Sequence, residues 1–113
     1  MTTNTLNETL AIKFPNTPSI DISLGLKHCN SNKALYFKIL NNFVKRYGTI
    51  NLNEVEADDL ARTLHSLKGL SSTLGMVKLS EILSELEVSF HTTKINSFSL
   101  ELSHITQSIM KNQ

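Results

Sequence analysis

The chain has 113 residues, the size of one domain, and Lys plus Arg (11) nearly cancel Asp plus Glu (10). That balance leaves no basic excess to neutralise a phosphate backbone or an anionic membrane, so nucleic acid is not an expected partner. No apolar run approaches the ~20 residues that span a bilayer, and Met1 to Leu10 has neither a basic nor an apolar targeting region, so the expectation is a soluble, cytosolic protein. Cys29 is the only cysteine, which excludes an internal disulfide and disfavours a thiolate zinc site.

The first 18 residues are rich in Thr and Asn and close on Pro15 and Pro18, so they read as a tail or linker, with a weak helical turn over Asn7 to Phe14. Residues 19–113 form the expected domain. Ser19-Ile20-Asp21 opens a short amphipathic helix through Leu24 and Leu26. It runs into Asn30-Ser31-Asn32, where Ser31 or Asn32 can cap a second helix. From Lys33 to Tyr47 the residues Leu35, Tyr36, Ile39, Leu40, Phe43 and Val44 share one broad face, and Gly48 supplies the stop.

After a loop over Thr49 to Val55, Asp58 and Asp59 mark a first helical turn, and the helix is expected to reach Leu74 before Gly75 ends it. Leu79, Ile82, Leu83, Leu86 and Phe90 make a further stripe. A break at Thr92 to Asn96, with Asn96 or Ser97 as cap, precedes a last helix carrying Phe98, Leu102, Ile105 and Ile109. Strand alternation and hairpin dipeptides are missing. The expected fold is all-α, an antiparallel up-down four-helix bundle with a short extra N-terminal helix.

In the helix from Asp58 to Leu74, the residues Leu60, Leu64, Leu67, Leu70 and Leu74 lie within about 80° of one direction at 3.6 residues per turn, which makes that face core. His65 points nearly opposite. Around it, at i−4, i+3, i+4 and i+7, stand Ala61, Lys68, Gly69 and Ser72. Glycine inside a helix costs about 1 kcal/mol relative to alanine, and at position 69 it exposes the imidazole and lets another backbone approach. Lys68 can hold an ammonium group near an anion at the histidine and disfavours the protonated ring. Such a geometry suits in-line phosphoryl transfer to a ring nitrogen. A single histidine on a solvated helix face is also an ordinary surface residue, and periodicity alone does not separate the two.

The run His65-Ser66-Leu67-Lys68-Gly69-Leu70-Ser71-Ser72-Thr73-Leu74-Gly75, continuing through Leu79 to Leu86-Glu87, closely resembles the signature of histidine-containing phosphotransfer (HPt) domains of multistep phosphorelays. Ile20-Asp21, Gly25-Leu26, Leu35-Tyr36 and Leu40-x-x-Phe43 are similar to the same family, so the resemblance spans about Ser19 to Met110. One departure is Leu64, where the family often has Ala before the histidine. At the edge of the core, it should alter packing and not chemistry.

The resemblance implies that His65 accepts a phosphoryl group from a receiver aspartate and passes it to another receiver, in a carrier without kinase activity of its own. It implies phosphate and docking support from Lys68 and Gly69, and an imidazole oriented by Glu87, whose bond to one ring nitrogen fixes the tautomer. Ala61 and Ser72 complete the expected contact surface. The expected partners are receiver domains of response regulators or of a hybrid sensor histidine kinase, met by a monomer with no cofactor and no metal, any magnesium acting through the receiver. The alternatives are a helical adaptor that binds a receiver or kinase without being phosphorylated and, more weakly, a phosphatase using His65 as a base. His28, His91 and His104 have no ligand spacing. Ser71, Ser72, His65 and Glu87 lack the strand-to-helix turn that presents a serine nucleophile.

Overall fold

The computed structural model describes residues 17–111, and the helical turn expected over Asn7 to Phe14 lies outside them. Among the described residues five α-helices follow one another: α1 (Ile22–His28), α2 (Lys33–Tyr47), α3 (Ala57–Leu74), α4 (Val77–Val88) and α5 (Thr92–Lys111), with a single 3₁₀ turn at Leu52–Glu54. No strand occurs among the described residues. Helices α2 to α5 form the bundle, and α1 is the short extra helix, packed mainly against α3. None of these helices is long and apolar enough to cross a membrane.

Three of the helix ends are set by local chemistry. Asp21 caps α1 by accepting the Leu24 N–H at 3.1 Å, and Asn32 caps α2 by accepting that of Leu35 at 3.0 Å. Helix α3 ends in a Schellman motif: the Met76 N–H bonds the Ser71 carbonyl at 2.8 Å and the Gly75 N–H that of Ser72 at 3.2 Å. Gly75 takes φ +84°, and a Cβ there would also stand 2.1 Å from the Asp21 carbonyl oxygen, so the position admits only glycine.

The core is built from the expected stripes. Tyr36, Leu40 and Phe43 of α2, Leu64, Leu67 and Leu74 of α3, Leu79, Ile82, Leu83 and Leu86 of α4, and Phe98, Leu102, Ile105 and Ile109 of α5 are all buried, with Leu60 and Leu70 partly buried against them. Three expectations are corrected. Leu35 lies at the edge of the α2 face and is exposed. Phe90 falls beyond the end of α4, because Ser89 turns extended and takes the chain off the helical wheel. The break at Thr92 to Asn96 is absent: α5 starts at Thr92, with Ile95 bonded back to the His91 carbonyl at 3.0 Å. Burial of Ile95 and an ion pair from Lys94 to Glu85 of α4 outweigh the loop tendency of the Thr-Thr and Asn residues.

The end of α3 is held from two other elements. The Tyr36 hydroxyl donates to the Leu74 carbonyl at 2.7 Å, the Asp21 N–H to the Gly75 carbonyl at 2.7 Å, and His28 Nδ1 lies 2.9 Å from the Thr73 carbonyl. Gly25 makes room for the phenol, since a Cβ there would come within 2.4 Å of the Tyr36 ring. Burial, seconded by the charges of Cys29 and Asp21, raises the Tyr36 pKa well above its ordinary value.

Tyr36→Phe should therefore cost about 1–3 kcal/mol at neutral pH, by leaving a buried carbonyl without its donor. Because folding raises the phenol's pKa, its contribution is complete below the unfolded tyrosine value of about 10 and is lost as pH rises through the folded value. Urea unfolding of both proteins from pH 7 to 11 should show the gap between them narrowing above pH 10.

Candidate functional site

Helix α3 has two unlike faces. Leu64, Leu67 and Leu74 are 3%, 0% and 0% exposed, whereas the His65 side chain, one residue round from Leu64, is 75% exposed. Leu64, the departure from the family pattern, is thus a core residue. On the His65 face lie Ala61, Gly69 and Ser72, all exposed, and Lys68, whose side chain is 33% exposed. The imidazole is therefore open to an approaching protein.

Gly69 has nothing within 4 Å of where a Cβ would stand. No contact among the described residues asks for glycine here, so its cost of about 1 kcal/mol in a helix interior is offset by none of them. What glycine provides is a shallow clearing one turn beyond the imidazole.

Glu87, on α4, ties the neighbouring charges together. Its Oε1 accepts from Lys68 Nζ at 2.7 Å, while Oε2 stands 3.6 Å from His65 Nδ1. The first contact is a charge-assisted hydrogen bond; the second is longer than a hydrogen bond yet close enough to favour a proton on Nδ1. The Lys68 hydrogen bond is the main reason that the Glu87 carboxyl stays below the usual glutamate range, with the charges of Lys68 and His65 adding to it against a desolvation that works the other way. The sequence-level picture of Lys68 as a free ammonium beside the histidine is thereby refined: it reaches the imidazole through a shared carboxylate.

Two features of this face went unread in the sequence. Arg62, at i−3 from His65, is a second cation on the same side, paired with Asp59; the same i,i+3 rule that found Lys68 finds it. A groove of about 380 Å³ runs alongside, lined by Ala57, Leu60, Ala61, Leu64, Leu86, Glu87, Val88 and Phe90, and Val88 is 88% exposed at its edge. It arises where the chain leaves α4, and the helical wheel instead assigned Phe90 to the core.

Elsewhere, no group of three His, Cys, Asp or Glu side chains that could hold a metal occurs among the described residues. His28 is engaged with Thr73, Cys29 is a buried free thiol, and His104 lies 3.9 Å from Glu101. Glu101 is 3% exposed, 4.0 Å from Lys78, and its Oε2 has no hydrogen-bond partner.

The Glu87 bridge can be read directly. Carboxyl ¹³C NMR should place its titration midpoint below that of an ordinary glutamate, and Lys68→Met should move it up. Because folding lowers this pKa, the pair's stabilising effect is present above the unfolded glutamate pKa and is lost as pH falls through the folded value. The difference in unfolding midpoint between wild type and Lys68→Met should accordingly vanish in acid.

Searches of curated proteins and of solved structures returned no match. The family model described as the Hpt domain matches residues 38–108, from within α2 to near the end of α5. That span contains the exposed histidine, its glycine clearing and the Glu87 bridge, and it covers more than half of the sequence, so the chain belongs to the Hpt-domain family of histidine phosphotransfer modules in two-component signalling.

Proposed function

We propose that His65 is the phosphorylated residue, and that residues 19–113 act as a carrier between receiver domains while residues 1–18 serve as tail or linker. The observation that carries this reading is the exposed imidazole with Glu87 Oε2 3.6 Å from its Nδ1. With the proton on Nδ1, Nε2 carries the free lone pair, on a side chain that is 75% exposed. Nε2 attacks the phosphorus of a receiver aspartyl phosphate, the N–P bond forms as the P–O bond breaks, and the aspartate leaves as a carboxylate. The ring gains positive charge as the bond forms, and the Glu87 carboxylate stabilises it there. The reverse sequence delivers the group to a second receiver.

Lys68 holds Glu87 in place in this scheme, and its ammonium group, joined to the imidazole through that carboxylate, attends the phosphoryl oxygens. Ala61, Gly69 and Ser72 keep the approach low, and the groove ending at Val88 and Phe90 gives the receiver an apolar surface to cover. Positioning and charge supply most of the catalysis. Any divalent cation belongs to the receiver.

Incubation of the full chain with a phosphorylated receiver tests this. Label on the chain should be acid-labile and alkali-stable, and His65→Gln should abolish it while the helical circular dichroism is retained. Binding without label would identify an adaptor; release of inorganic phosphate with turnover would identify a phosphatase. For the clearing, Gly69→Leu should leave the unfolding midpoint equal or higher, by up to about 1 kcal/mol of helix propensity, yet slow transfer by tenfold or more. Unchanged transfer would remove the access role of Gly69.

A further inference from the structure

Beside the site lies a second cleft with a different character. Arg46, in the last turn of α2, and Arg62, on α3, line it together with Tyr47, Thr63 and Ser66, and its volume is about 380 Å³. Ser66 directly follows His65, so the cleft opens about 100° round α3 from the imidazole, one residue's rotation. Glu87 approaches His65 from α4 and pairs with Lys68 of α3 itself, and there the charges neutralise each other.

On the cleft side they do not. Asp59 pairs with Nη2 of Arg62, which leaves most of that guanidinium's five donors for other acceptors. Arg46 has no carboxylate within ion-pair distance among the described residues; its guanidinium lies over the Tyr47 ring, 5.3 Å from the centroid, which steadies it without consuming its charge. Glu54, the nearby acid of the 3₁₀ turn, accepts from Asn51 Nδ2 at 2.9 Å within that turn. Arg46, Arg62, Thr63 and Ser66 thus line one opening to which no carboxylate residue contributes among the described residues. Guanidinium forks suit planar carboxylates, which they bind through two parallel hydrogen bonds.

We infer that this cleft receives a carboxylate-bearing edge of the receiver that docks on His65, and that Arg46 and Arg62 thereby fix which way round the receiver sits. The inference rests on the assignment of His65 as the transfer site. Charge complementarity selects the occupant, and the opposite flank supplies the contrast. The groove at Leu86, Val88 and Phe90 is lined by hydrocarbon and by the Glu87 carboxylate, so a receiver turned half round would lay its carboxylates beside a like charge and leave the arginines unmatched. Arg46 and Arg62 are then specificity determinants and take no part in the chemistry at phosphorus.

The test uses the full chain, a receiver domain that labels the wild type, and phosphoramidate as a small phosphoryl donor that needs no docking. The double variant Arg46→Glu/Arg62→Glu should lose tenfold or more in receiver-to-histidine kcat/KM at low ionic strength. The deficit should shrink several-fold in 1 M salt, where the screening length is about 3 Å. Labelling of His65 by phosphoramidate should stay at the wild-type value and the helical circular dichroism should be retained, although loss of the Asp59–Arg62 pair lowers the thermal midpoint slightly. Arg46→Lys/Arg62→Lys, which keeps charge and loses the forks, should fall between. Wild-type transfer with wild-type salt dependence in the charge-reversed protein would overturn the inference and leave His65 in place. So would a loss of phosphoramidate labelling confined to that variant, since the arginines would then act on the histidine and not on docking. Failure of the wild type itself to be labelled at His65 would instead remove the assignment on which the inference stands.

Discussion

The rotational setting of α3 about its own axis governs everything else on this molecule. Leu64, Leu67 and Leu74 are essentially without solvent contact, and burying each such side chain contributes roughly 1.5–3 kcal/mol. Turning the helix by one residue's angle to bring His65 inward would expose this set together. The loss would rival the whole stability of a small domain, about 5–15 kcal/mol. The imidazole therefore stands outward because its leucine neighbours cannot.

Axial position is set separately, by the junction at the end of α3. The carbonyls of Thr73, Leu74 and Gly75 are each met by a group from α1, α2 or the turn before α1. This junction lies more than two turns from His65 along the helix, so the groups that hold the scaffold are not those offered to a partner. The separation explains how a helix can carry a glycine such as Gly69, which nothing in the fold requires, without losing its place in the bundle.

Most of the architecture was legible because each helix announces itself in one dimension. Asp21, Asn32 and Gly75 are strong local signals, and the apolar spacing of α2 to α5 has a single dominant period. What escaped was decided by contacts between elements. Phe90 continues the α4 stripe on paper but follows a residue that has left the helix, and the first turn of α5 forms because Ile95 and Lys94 find partners on other elements. For the site, His65, Gly69 and the i,i+3 and i,i+4 neighbours are arithmetic on one helix. Glu87 was expected at the imidazole from the family pattern, but its sharing between Lys68 and His65 is a fact about two helices side by side. The arginine cleft joins the end of α2 to the middle of α3, and no spacing along the chain connects Arg46 with Ser66.

The two ends of α3 are treated unequally. Its last turn is closed by the Schellman bonds and by groups from neighbouring elements, whereas Glu56, at its start, makes no side-chain bond to the free N–H groups, and only the acids Asp58 and Asp59 temper the exposed positive pole. Such a helix is tied to the polar groups of its neighbours at one end only, like a reed held in a clamp. His65 sits midway between the two ends, so a docking protein that reaches the first turn would meet backbone N–H groups that the Glu56 side chain leaves uncapped, and one that reaches the far end would meet carbonyls already taken.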